Sequence, residues 1–138
     1  QIMVQPSFPF IKLWKDVMEH VDFSLEEGNR LRDPLEKYGY RMDQAFHSEP
    51  VPVQNVFVLN VHNQEEYKAE ELKGIDKFNA LKNQTFRFQF VTDKNRQKHF
   101  TVLNQMAQSV KVFRITRPQA PMDIERLFQE IREAVANS

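Results

Sequence analysis

Chemistry has few places to start in this chain. The glycines are Gly28, Gly39 and Gly74. A phosphate-cradling loop needs the run G-x-x-x-x-G-K-[ST], because backbone N–H groups must wrap the phosphates while the Lys reaches them. None of the glycine spacings builds that loop, the dinucleotide fingerprint or the nucleophile elbow of hydrolases. The histidines, His20, His47, His62 and His99, include no pair at the spacing of two metal ligands on one helix. Ser7, Ser24, Ser48 and Ser109 lack a nucleophile signature and fit turns and helix ends. Arg114 and Arg117 are of more interest, since strand ends in α/β sheets gather ligands and a guanidinium grips phosphate bidentately. A structural ion pair is the plainer role for them and the favoured one.

Trp14 between Lys12 and Lys15, and Phe86 to Phe90 around Arg87, have the composition of base-stacking platforms. Lys plus Arg number 19 and Asp plus Glu number 19, so no overall field favours a polyanion. That balance, with the helical spacing of Trp14, favours core packing, and no nucleic-acid partner is expected. The absence of cysteine removes disulfides, thiol nucleophiles and Cys-ligated metal sites. No metal site is expected. No apolar run approaches the roughly 18 residues of a membrane span, so a soluble protein without a membrane partner is expected, and the absence of cysteine accords with a cytoplasmic location.

A chain of 138 residues, 41% hydrophobic, holds one compact core, and a single domain over 1–138 is expected. The elements that would position any site are organised around Pro50 to His62, whose Val53, Val56, Phe57, Val58, Leu59 and Val61 read as a central strand covered on both faces. Around it, Gln1 to Gln5 reads as a short strand, and Lys12 to Val21 as an amphipathic helix carrying Leu13, Trp14, Val17, Met18 and Val21. Asp22 to Asp43 reads mostly as loop with a helical turn near Leu25 to Leu31, and a strand from about Glu36 to Phe46. Asn63 to Lys73 reads as a solvated acidic segment.

Ile75 to Phe86 reads as a helix that gives way to an extended Phe86 to Phe90, and Thr92-Asp93 as the cap of another helix with Phe100, Leu103, Ala107 and Val110 on one stripe. Lys111 to Thr116 is strand-like. Ile124, Leu127, Phe128, Ile131 and Val135 form the cleanest helical stripe, with Asp123 and Glu125 in its first turn. The order helix, strand, helix predicts an α/β protein: a mixed sheet with covering helices.

Three segments together carry a resemblance: PSFPFIKLWKD from Pro6 to Asp16, PVPVQNVFVLNV from Pro50 to Val61, and FRITRP from Phe113 to Pro118 ahead of the last helix. In that order they resemble the carboxy-terminal part of the HPr serine kinase-like proteins, P-loop relatives of phosphoenolpyruvate carboxykinase. The family's P-loop and acidic metal-binding segment precede the proline-rich run and are not in this sequence. The resemblance implies the portion that finishes the sheet of an ATP-dependent serine kinase, with ATP and Mg bound by the parent and a protein as acceptor. It implies that Lys12, Lys37 and Arg117 approach nucleotide or acceptor phosphate, and that this chain alone is not catalytic. The chain opens at Gln1 on Ile2-Met3-Val4, which reads as mid-strand, so a fragment of a longer protein is expected. The alternative from another class is a non-catalytic interaction or oligomerisation module on the same scaffold, since a strand edge left unpaired invites pairing between chains.

Overall fold

The structure, a computed structural model, describes residues 1–18, 21, 28–86, 88–119 and 123–137. In chain order the elements are β1 (Met3–Val4), β2 (Phe10–Trp14), a single helical turn α1 (Lys15–Met18), β3 (Asn29–Arg32), β4 (Leu35–Arg41), β5 (Val51–Pro52), β6 (Asn55–His62), β7 (Lys68–Leu72), α2 (Gly74–Asn83), α3 (Asp93–Ser109), β8 (Lys111–Pro118) and α4 (Ile124–Ala136). The α/β class with mixed strand pairing follows the expectation. The chain divides into two compact units, one of Gln1–Val4 with Pro52–Ser138 and one of Gln5–Val51.

The larger unit is built on a mixed sheet in the order β6-β8-β7, with β6 parallel and β7 antiparallel to β8. The central strand is therefore Lys111–Pro118, and the expectation that Pro50 to His62 supplies it is corrected. The reason is local. Val112 and Ile115 are wholly buried and Phe113 nearly so, whereas Leu59 and Val61 of β6 are 54% and 52% exposed. An unbroken β-branched run states strand propensity, while burial on both faces depends on what packs there.

One side of the sheet meets α2 and α3 through Val58, Leu72, Ala80, Leu81, Leu103, Val110 and Val112. Ile2 and Val53 pack against the same core, and the Val53 N–H donates to the Ile2 carbonyl at 2.9 Å. The other side meets α4, which lies against β7 and β8. Asp123 caps α4, its Oδ1 accepting from the Arg126 N–H at 2.9 Å. Tyr67, just before β7, ties down the same terminus: its hydroxyl donates to the Asp123 carbonyl at 3.2 Å and accepts from the Asp123 N–H at 3.1 Å.

Within Asn63 to Lys73, expected as solvated acidic chain, residues Lys68–Leu72 form β7, and Leu72 is only 3% exposed. Pairing along β8 recruits this segment despite its charge, and Glu70 finds Arg114 across the ladder at 3.2 Å. Gly74 takes φ +54°, a value that a Cβ opposes, where β7 turns into α2. Phe88–Phe90 is a short 3₁₀ turn rather than the expected extended segment.

The smaller unit is an antiparallel sheet in the order β2-β4-β3. The helix expected over Lys12 to Val21 is corrected: Phe10–Trp14 is strand and only Lys15–Met18 is helical, with 19 and 20 outside the described residues. Cross-strand partners outweigh the helical spacing here, Leu13 standing opposite Tyr38 and Ile11 opposite Tyr40. Tyr40 is buried, and its hydroxyl donates to the Met18 Sδ at 3.3 Å, holding α1 on that face. The strand expected from Glu36 to Phe46 is present as Leu35–Arg41, with a 3₁₀ turn at Asp43–Ala45. Of the turn expected near Leu25 to Leu31, residues 25–27 lie outside the described residues and Leu31 belongs to β3.

Candidate functional site

Lys12 and Lys37 come together on the smaller unit. In β2 and β4, Lys12 pairs with Gly39 and Trp14 with Lys37, and residues two apart on a strand share a face. Both lysines therefore stand on the face that carries Trp14. The Lys37 ammonium lies 4.8 Å from the centre of the Trp14 ring, a cation–π contact worth about 0.5–1 kcal/mol at an exposed position. Trp14 itself is 46% exposed and not the core residue that its helical spacing predicted. The opposite face, with Tyr40, is the buried one.

Arg117 belongs to the larger unit, near the carboxyl end of β8, where it pairs with Val61 of β6. Its Nη1 donates to the Pro118 carbonyl at 2.8 Å. Arg114 has the structural role favoured for it: its Nη1 lies 3.2 Å from the Glu70 Oε1, with both side chains partly shielded from water. The histidines stay apart from one another in their bonding. His62 Nε2 meets the Glu66 carbonyl at 2.7 Å, and His99 Nε2 meets the Thr85 hydroxyl at 3.1 Å. His20 and Ser24 lie outside the described residues. Among the described residues no cluster of His, Asp and Glu is placed to hold a metal ion, and no helix is long and apolar enough to cross a membrane.

The most distinctive surface of the larger unit is one that sequence reasoning placed inside. Phe57, Leu59 and Val61 alternate along β6 and share a face with their β8 partners Phe113, Ile115 and Arg117. This is the face that α4 covers over β7 and β8. Phe113 and Ile115 are buried beneath it, and Phe57 stacks on Phe113 with ring centres 5.4 Å apart. Leu59 and Val61 stand beyond that cover and remain half exposed, as does Phe128 of α4 at 54%.

β6 is also an edge. It pairs only with β8 among the described residues, leaving the backbone groups on its other side without a strand partner. Natural edges are commonly blunted by Lys, Pro, a bulge or short length. β6 runs for eight residues, and its stretch Val56–Val61 carries no charge and no proline. The ladder to β8 is unbroken in register from Asn55 to His62, so no bulge bends the edge away. Chemically, the arrangement offers backbone donors and acceptors beside an apolar strip. The sequence signal for it was the same uncharged run that reads as a central strand, and only the strand order and the position of α4 tell the two apart. No family model, curated protein or solved structure matches the chain.

Proposed function

We propose that this chain is a non-catalytic self-association module, in which the outer edge of β6 pairs antiparallel with β6 of a second copy about a two-fold axis. The observation that supports it is the uncharged, unbulged β6 edge beside the half-exposed Leu59 and Val61. Such an edge satisfies its backbone groups by adding a strand. A two-fold axis perpendicular to the sheet sets β6 against itself, keeps Leu59 and Val61 of both copies on one side, and joins the two sheets into one. A strand without charge meets its own copy without repulsion. Sedimentation equilibrium of the whole chain is the test, with Leu59→Lys as the disrupting variant: a dimer that the lysine converts to monomer supports the module.

A second reading takes the chain as the carboxy-terminal part of an HPr kinase-like, ATP-dependent serine kinase, cytoplasmic, with ATP and Mg held by an upstream P-loop. It rests on the three resembling segments and on Arg117 at the carboxyl end of β8, the end where α/β sheets present ligands. Lys12 and Lys37, diagonal to each other on one face of their own sheet, would act in that reading as phosphate-directed cations. Calorimetric titration with ATP and magnesium separates the readings. Heat from a longer protein containing the P-loop, and none from this chain, favours the kinase portion; silence from both removes it.

A further inference from the structure

α2 and α3 pack side by side and leave a groove along their junction. At one end a cavity of about 590 Å³ is walled by Lys73, Ile75, Lys77, Phe78 and Phe100, among others. At the other end a cavity of about 250 Å³ is walled by Phe78, Lys82, Phe88, Arg96, His99 and Phe100, with Leu103 behind. The two meet at the edge-on pair Phe78 and Phe100, whose ring centres are 5.6 Å apart. The two cavities thus flank one aromatic pair, and cations line both of them.

The charge of this hairpin departs from that of the chain. Between Lys73 and Ser109 stand five Lys and two Arg against Asp76 and Asp93, a net charge of +5 in a chain whose total is zero. The even overall balance hid this concentration. Lys77 and Lys82, both on the groove wall, form no ion pair among the described residues. Arg96 is held by Asp93 at 2.8 Å and Lys73 more loosely by Glu71 at 3.7 Å. Lys94 and Lys98 add to the positive field of the hairpin without lining the groove.

The exposed apolar side chains here are chiefly flat rings. Phe88 is 47% exposed, Phe90 65% and Phe100 55%. Phe88 meets the His99 ring edge-on at 5.7 Å, and the Lys82 ammonium stands 6.0 Å from its centre. Core packing, the role that charge balance and spacing assign to the Phe86 to Phe90 run, does not describe rings this open to water.

We infer that the α2–α3 groove binds single-stranded nucleic acid. Bases stack on the exposed rings of Phe88 and Phe100, whose faces accept any base. The backbone phosphates run past Lys77 and Lys82, whose charges are not already neutralised. An acidic peptide would satisfy the cations equally, but the exposed phenyl faces of Phe88 and Phe100 favour a polyanion that also carries flat rings. A duplex cannot present unstacked bases to those rings, which fixes the preference for single strands.

The test is fluorescence anisotropy of the whole chain with a labelled dodecamer of deoxythymidine, with the matching duplex, and with a polyglutamate competitor, over a range of salt. The single strand binds, the duplex binds far more weakly, and affinity falls with salt. Phe88→Ala and Phe100→Ala each weaken binding by roughly tenfold to a hundredfold. Lys77→Ala and Lys82→Ala each flatten the logarithmic salt dependence by about 0.7. Circular dichroism of each variant separates a lost contact from a lost fold, and the conservative Phe88→Tyr and Phe100→Tyr retain binding because the ring is kept. Equal affinity for duplex and single strand, displacement by polyglutamate as effective as by unlabelled oligonucleotide, or no salt-dependent binding overturns the inference.

Discussion

Phe57 and Phe113 lie opposite each other in the parallel pairing of β6 and β8, with ring centres 5.4 Å apart and planes only 17° from parallel. Phe113 belongs to the buried middle of the sheet and Phe57 to its edge strand, so the stack marks the boundary between core and bare surface. Replacing Phe113 removes both the buried ring and the support of the edge. Phe113→Ala is expected to cost about 3–5 kcal/mol, the usual range for a buried Phe truncated to Ala. Urea unfolding of the variant against the parent chain measures it, and a cost below about 1 kcal/mol, less than typical of a buried aromatic, would mean that β8 is not the centre of the sheet.

Gly39 gives the smaller unit a test of its own. A Cβ placed there would collide with the Phe10 ring and lie 2.9 Å from the Leu31 side chain, so both must move aside. Gly39→Ala is expected to destabilise this unit by about 1–3 kcal/mol, the typical cost of overpacking. Hydrogen exchange should register the loss in β2 and β4 and leave β8 protected. Uniform loss across the chain would contradict the division into separate units.

Arg41 and Asp43 make a bidentate pair at the end of β4, both contacts 2.9 Å long. The Arg41 hydrogen bond holds the Asp43 carboxyl below its ordinary value, opposed by slight desolvation and helped by the Arg charge. A depressed carboxyl contributes stability that is present above its unfolded value and lost as pH falls through the folded one. The pair is open to water, so the stability effect is small and the carboxyl itself is the better reporter. NMR titration should find Asp43 below the usual aspartate range, and Arg41→Ala should return it there; an Asp43 value untouched by that substitution would remove the pair.

The sequence made the helices of the larger unit legible because each has an amphipathic stripe and a clean boundary. Thr92 stands at the N-cap position of α3 as the sequence suggested, Asp123 caps α4 just ahead of the first turn in which it was expected, and α2 begins at Gly74, one residue before the expected Ile75. The sheet was harder. β6 and β8 both carry apolar runs, and period alone could not say which of them has partners on two sides. β7 was hidden because four Glu residues between Asn63 and Lys73 read as surface, while its pairing with β8 is a long-range fact. Trp14 shows the same limit from the other side: its spacing with Val17, Met18 and Val21 is helical, yet Tyr38 and Tyr40 draw its neighbours into a strand. For the candidate sites, the residue types were visible but their exposure was not, and the even charge balance concealed the basic α2–α3 hairpin.

Self-association through β6 is tested by sedimentation equilibrium of the whole chain across a wide concentration range. The expected result is a concentration-dependent dimer, with Leu59→Lys sedimenting as a folded monomer because a charge at this half-exposed edge position repels its own copy across the two-fold axis. A strict monomer at the highest concentration, or a dimer unaffected by Leu59→Lys, would contradict it.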